Sequence, residues 1–115
     1  MTSHAATAVN AGLPRQELAR LRAALLEQRG FRREQLLAIR QSSRGPSAAR
    51  AEVQDHLAVA ARIVLADVEA ALDRMDTGHY GQCRSCHGAV EPARLRICPQ
   101  ALYCAECHRV RETGQ

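Results

Sequence analysis

The chain has 115 residues, a formal net charge of +4, one Phe, two Tyr and no Trp. So few large side chains exclude a thick single core, and a fold of this length then needs a metal site or long packed helices to hold it. All basic residues are arginine and alanine is abundant; that bias reads first as the mark of a GC-rich genome, so the charge points less to nucleic acid than its sign suggests, and specific DNA binding is not expected.

Residues 1–13 read as a flexible leader. Met1 to Gly12 is small and polar, without the basic start and apolar core of a signal peptide. No stretch has the length needed to span a bilayer, so no membrane association and a cytoplasmic location are expected. Pro14 suits a first helical turn, where its missing N–H would have no partner anyway. From there to about Gln41 the pattern is helical: Leu18, Leu21 and Leu25 recur at steps of three and four, and Leu36 and Ile39 resume the stripe. Gln28 and Arg32 fall on that stripe, and Gly30 costs the helix roughly 1 kcal/mol relative to alanine.

The run Ser42-Ser43-Arg44-Gly45-Pro46-Ser47 breaks the helix, and Ser47 can cap the next one. A second helical run to about Met75 carries Val53, Leu57, Ala60, Val64, Val68, Ala71 and Met75 at steps of four and three, a coiled-coil seam with small residues. Two amphipathic runs of about 28 residues, each roughly 42 Å long, joined by a short break predict an antiparallel hairpin over 14–76 with its tip near 42–50. The competing arrangement packs both stripes into a homodimeric bundle. Asp76-Thr77-Gly78 stops the second helix, residues 77–115 form a separate small module, and a last short helix is expected over about Ala105 to Glu112.

That module carries the chemistry. Cys83 and Cys86 form one C-x-x-C and Cys104 and Cys107 another, with seventeen residues between the pairs. Two such knuckles can supply the four thiolates that a tetrahedral zinc ion prefers. The alternatives, unrelated thiols or two disulfides, suit a secreted domain, and nothing here suggests export. Four thiolates leave no open coordination position, so one structural Zn2+ is expected and no enzyme; no serine elbow, Gly-rich phosphate loop or paired carboxylates supply another active site. His87 and His108 follow the second cysteine of each knuckle and are not needed as ligands. Cys98, the odd thiol, reads as a small apolar residue before Pro99 or as a redox thiol whose pKa Arg94 and Arg96 lower.

The segment Gly78-His-Tyr-Gly-Gln-Cys83-Arg-Ser-Cys86, then Glu91-Pro-Ala-Arg-Leu95, Pro99 and Cys104-Ala-Glu-Cys107, preceded by Ala71-Leu-Asp-Arg-Met75, resembles the DksA/TraR zinc-finger family over about residues 71–107. The resemblance implies a mainly α fold: a long antiparallel coiled-coil helical hairpin, a small four-cysteine zinc-finger module and a short C-terminal helix. It also implies a transcription regulator that binds core RNA polymerase, its coiled coil entering the secondary channel and its zinc end docking on the channel rim. Carried onto this chain, the polymerase-contacting tip is Arg44, Arg50, Glu52 and Asp55, and the docking residues are Arg94 and Arg96.

Three departures qualify that expectation. The family's Asp-x-x-Asp-x-Ala tip corresponds here to Gly45-Pro46-Ser47-Ala48-Ala49-Arg50-Ala51, without either acid and with Arg40, Arg44 and Arg50 nearby. The positions that hold the alarmone ppGpp in DksA correspond to Asp67, Cys98 and His108, a poor anion site without Arg or Lys, so a ppGpp site of that kind is not expected. His87 stands where the family usually has glycine, which predicts a strained positive φ in the first knuckle. Two other functions stay open from sequence: a zinc-ribbon nucleic-acid binder with Arg84, Arg94, Arg96, Arg109 and Arg111 along the phosphate, and a zinc-thiolate redox-responsive adaptor.

Overall fold

Two long helices account for most of the chain in a computed structural model that describes residues 9–42 and 48–113. Helix α1 spans Arg15–Ser42 and α2 spans Ala48–Thr77. Two short helices follow, α3 over Pro92–Ile97 and α4 over Ala105–Thr113, and a short turn, Val9–Gly12, in which Asn10 and Ala11 take left-handed backbone angles, precedes α1. The molecule measures 59 × 35 × 21 Å along its principal axes. No described helix is long and apolar enough to cross a membrane.

The helices run antiparallel. Arg22 pairs with Asp76 at 3.2 Å, Arg33 with Glu69 at 2.8 Å, and Ser42 accepts from Gln54 at 2.7 Å, so partner numbers on α2 fall as those on α1 rise. Charge favours this pairing. Helix α1 carries seven arginines against three carboxylates, whereas α2 carries six carboxylates against three arginines. Opposite net charges on facing rods attract, although each exposed pair contributes little.

Nearest the base, the seam is a packed core. Leu21 and Leu25 of α1 meet Val68, Ala71, Leu72 and Met75 of α2, all buried. Toward the far end the seam departs from expectation. Val53, Leu57 and Ala60 are exposed, while Ala58 and Ala61 are buried and Ala51 and Gln54 half-buried. The contact face is therefore Ala51, Gln54, Ala58, Ala61, Leu65, Val68, Leu72 and Met75, which alternates steps of three and four. Most of that far seam is alanine, so the helices meet with little apolar volume between them, and Gln28, Arg32 and Gln35 face it from α1 only half-buried.

Of the leader expected over 1–13, the described residues from Val9 onward lie against the end of α2. Asn10 is 5% exposed and adopts φ 51, a left-handed conformation that asparagine tolerates better than most residues. Its backbone N–H donates to the Gly78 carbonyl (2.8 Å), its side-chain amide donates to the Met75 carbonyl (3.4 Å), and its Oδ1 accepts from the Tyr80 N–H (3.0 Å). One side chain thus satisfies the end of α2 and the start of the next segment. Helix α3, also not anticipated, begins with Pro92 in its first turn and buries Leu95.

Candidate metal centre and the cavity beside it

The cysteine-bearing segment is tied to the hairpin before it reaches its first sulfur. Gly78 and Gly81 both take φ 84, turning the chain back at the end of α2. Arg74, in the last turns of α2, donates to the carbonyls of His79 (3.0 Å) and Gln82. Burial lowers its pKa, with the nearby Arg84 adding to the effect. Tyr80 is 1% exposed and donates its hydroxyl to the Pro99 carbonyl at 2.7 Å, across the module; burial raises its pKa, as expected for a phenol out of water.

All four sulfurs then converge. The Sγ atoms of Cys83, Cys86, Cys104 and Cys107 lie within 4.8 Å of one another, with Cys86 and Cys104 4.0 Å apart. A tetrahedral ion with zinc–sulfur bonds near 2.3 Å sets its sulfurs roughly 3.8 Å apart, so the set fits one ion with small adjustment. Cys83 and Cys104 are buried and Cys86 is exposed. Backbone N–H groups aim at the sulfurs: Cys86 toward Cys83 (3.5 Å), Gly88 toward Cys86 (3.4 Å) and Cys107 toward Cys104 (3.4 Å). Burial raises the Cys83 thiol, yet the N–H groups around it outweigh burial and bring it down to about 6. Hydrogen bonding to Cys104 pushes Cys107 up to about 12. The set thus holds one thiol already poised as thiolate, and the donor chemistry suits a soft cation.

The knuckle geometry has local causes. The Cys83 N–H donates to Gly88 (2.6 Å), the His87 N–H to Cys83 (2.9 Å) and the Val90 N–H to Gly81 (2.8 Å), with Gln82 and Ala89 forming an isolated antiparallel bridge. His87 occupies φ 65, the left-handed conformation expected for the residue after the second cysteine. In the second knuckle, Cys104 precedes the first turn of α4. Glu91 Oε1 accepts the Ala105 N–H (3.1 Å) there, and the N–H groups it faces, its own and that of Ala105, hold its carboxyl below the usual range. That contact joins the two halves of the module through an otherwise exposed carboxylate.

A cavity of about 430 Å³ opens beside the sulfurs, between α2, α3 and α4. Asp67, Cys98 and His108, the three positions that sequence reading sets against an alarmone site, all line it. So do residues that sequence reading did not assign there: Arg94, Gln100, Tyr103, Arg111 and Glu112. Arg94 Nε donates to the Tyr103 carbonyl at 2.9 Å, Arg111 lies 4.2 Å from the Tyr103 ring centroid, and His108 pairs with Glu112 at 3.0 Å. The cavity therefore mixes two arginines with two carboxylates. Only the tertiary fold, through contacts such as Arg94 to the Tyr103 carbonyl, brings them together, and no linear motif could have marked them.

The remaining sequence-picked residues separate into groups. Arg50, Glu52 and Asp55 are exposed at the far end of α2, and Arg44 lies outside the described residues, as do the tip positions 43–47. Arg96 is 3.4 Å from Glu17, linking α3 to the start of α1. Cys98 caps the end of α3 and is half-buried.

No family model matches the sequence, and no curated protein matches it. Comparison with solved structures does find a match. The structure of the transcription factor DksA2 from Pseudomonas aeruginosa superposes with a TM-score of 0.74 at 25% sequence identity, covering 89% of this chain and 88% of that one. The chain has a DksA-like fold. The likeness thus rests on architecture over nearly the whole length, and not on the cysteine motif alone.

Proposed function

We propose that this chain is a DksA-like transcription regulator that binds core RNA polymerase by inserting its hairpin into the secondary channel, and that it performs no catalysis. The observation that carries this reading is the match in fold to a transcription factor over 89% of the chain, joined to a pair of rods held by a cysteine cluster at one end. The ion is one structural zinc held by Cys83, Cys86, Cys104 and Cys107, whose four thiolates close its coordination sphere. Zinc would supply rigidity alone; this chain's residues set the angle of the rods, through Asn10, Arg74 and Tyr80. A cytoplasmic location follows from that partner and from the need for reduced thiols.

Action at the far end differs from that of an acidic tip. Arg44 and Arg50 with Glu52 and Asp55 present mixed charge there, which cannot draw a magnesium-bearing centre as paired aspartates do. At the base, Arg94 and Arg96 stay with the docking face, although each also has an internal partner. The cavity beside the sulfurs binds ppGpp weakly or not at all, because Asp67 and Glu112 oppose the arginines that would meet its phosphates.

A zinc-ribbon grip on nucleic acid finds less support. Arg94 and Arg111 are engaged with Tyr103, Arg96 with Glu17, and Arg109 with Glu106 at 3.4 Å. A redox adaptor acting through Cys98 has nothing beyond a half-buried thiol to support it. The deciding experiment is capture of core RNA polymerase by the immobilised, metal-loaded chain, repeated with a tip variant in which two aspartates are restored between residues 45 and 51. Binding by both with altered transcription output only in the variant is expected. Absence of capture at micromolar concentration rejects the reading.

A further inference from the structure

The cavity beside the sulfurs, about 430 Å³ in volume, falls in the size range of small-ligand sites. It holds charges of both signs that do not meet. Asp67, from α2, is half-buried on its wall, and among the described residues its carboxylate joins no ion pair and accepts no hydrogen bond. The other carboxylate, Glu112, is already paired with His108 at 3.0 Å. Arg94 of α3 and Arg111 of α4 are both turned to Tyr103: Arg94 donates its Nε to the Tyr103 carbonyl, and Arg111 lies over the ring. Neither pairs with a carboxylate among the described residues, so each keeps N–H groups for an anion. Gln100, on the same lining, holds its side-chain oxygen buried with no donor to it.

Charge and lining together define what fits. An anion alone gains from the two arginines but meets Asp67; a cation alone gains from Asp67 but meets the arginines. A molecule that carries both charges complements both. An ammonium group has three donors to offer the free Asp67 carboxylate and the donor-poor Gln100 oxygen, and a carboxylate accepts from guanidinium groups in their favoured planar geometry. The rest of the lining includes Ala101, Leu102 and the Tyr103 ring, an apolar wall that suits an aliphatic side chain. A phosphate-rich ligand is the wrong class here, since it brings no cation to set against Asp67. We infer that this cavity is a binding site for a small zwitterion, a free α-amino acid with an apolar side chain, whose ammonium group is held by Asp67 and whose carboxylate is held by Arg94 and Arg111. The site depends neither on the polymerase nor on the hairpin tip.

L-leucine is the probe. Titrated from about 0.05 to about 20 mM into the full, zinc-loaded chain, it should bind with Kd on the order of 0.1–1 mM, read by calorimetry or by amide shifts of residues 94–112. Two analogues of the same carbon skeleton test the charges on the unaltered protein. Isopentylamine lacks the carboxylate and 4-methylpentanoate lacks the ammonium group, and each should bind about tenfold or more weakly than leucine. Asp67→Asn, nearly the same shape without the charge, and Arg111→Gln, on the exposed face of α4, should each weaken leucine by a similar factor. Arg109→Gln removes an arginine of α4 that is paired with Glu106 and absent from the cavity lining, and it should change nothing. No leucine binding up to about 20 mM overturns the inference. So does binding of either single-charge analogue as tightly as leucine, which would make the cavity a plain cation or anion site, and so does leucine binding that is indifferent to Asp67→Asn and Arg111→Gln, which would place it elsewhere on the molecule.

Discussion

The two ends of this molecule are held by different means. At the base, a side chain from the N-terminal turn, an arginine from α2 and a tyrosine from the cysteine module each bond across segment boundaries, and Leu25, Val68, Tyr80 and Leu95 are almost wholly buried beside four converging sulfurs. Toward the tip, alanines face half-buried glutamines and an arginine, and Gln54 Oε1 is buried without a hydrogen-bond partner. Phe31, Leu37, Val53 and Leu57 remain exposed there. A two-helix rod has only one seam in which to bury apolar surface. Rigidity must therefore come from the base, and the far half is left adaptable. Such a division suits a probe: fixed where it is mounted, yielding where it makes contact.

Metal removal breaks this contrast most severely. Binding free energy for a structural zinc site is on the order of 10 kcal/mol or more, against a total stability of about 5–15 kcal/mol for a domain. Chelation, or Cys104→Ser, is therefore expected to melt the segment from Gly78 to Thr113 and to leave at most a frayed helical hairpin. Circular dichroism with parallel metal analysis checks this. A fully folded, metal-free protein would show that the sulfurs are not what holds the base.

Next in size is Asn10→Ala. It deletes the donor to Met75 and the acceptor for the buried Tyr80 N–H, and it leaves alanine at φ 51. One unsatisfied buried N–H costs about 1–3 kcal/mol, and the backbone conformation costs about 1 kcal/mol more. Thermal unfolding should fall by roughly 5–15 °C. The same change at an exposed tip residue should do almost nothing.

How far the sequence foretells these two ends follows the same division. Helix lengths are legible because Gly45-Pro46 and Thr77-Gly78 punctuate them, and the cysteine cluster is legible because C-x-x-C spacing is itself the geometry of a knuckle. The seam of α2 is ambiguous for a physical reason. With apolar residues on two faces, Val53-Leu57-Ala60 and Ala58-Ala61 both satisfy a helical period, and only the position of α1 decides between them. Asn10 escapes notice because its role lies in contacts about 65 to 70 residues away. A weak signal exists in Asn10-Ala11-Gly12, a run that takes three successive positive φ values. The cavity residues Arg111 and Gln100 carry no local signal at all.

Gly30→Ala sharpens the comparison from the opposite side. Gly30 lies within α1, and an added Cβ meets nothing within 4 Å. Removing its excess backbone freedom should stabilise the far half by about 0.5–1 kcal/mol. Amide exchange should slow in α1 around residues 27–40 and stay unchanged in the cysteine module. Slowing that spreads equally to both ends would mean that the molecule opens as one unit and that the mechanical division is false.

The smallest expected effect lies at Glu91, which joins the two knuckles through the Ala105 N–H. Its carboxyl is held below the usual range by the N–H groups it faces. A depressed pKa in the folded state means that the charged form stabilises the contact at neutral pH; the gain is full above the ordinary glutamate value of about 4.3, starts to fall below it, and is lost as pH drops through the lower folded value. Glu91→Gln keeps an acceptor and removes the charge. It should speed exchange of the Ala105 amide at pH 7, and the gap between the two proteins should close on acidification. Comparing the pair at each pH cancels loss of metal, which acid causes in both. A gap that widens in acid would reverse the sign of the argument and show that the neutral carboxyl is the form that holds the second knuckle in place.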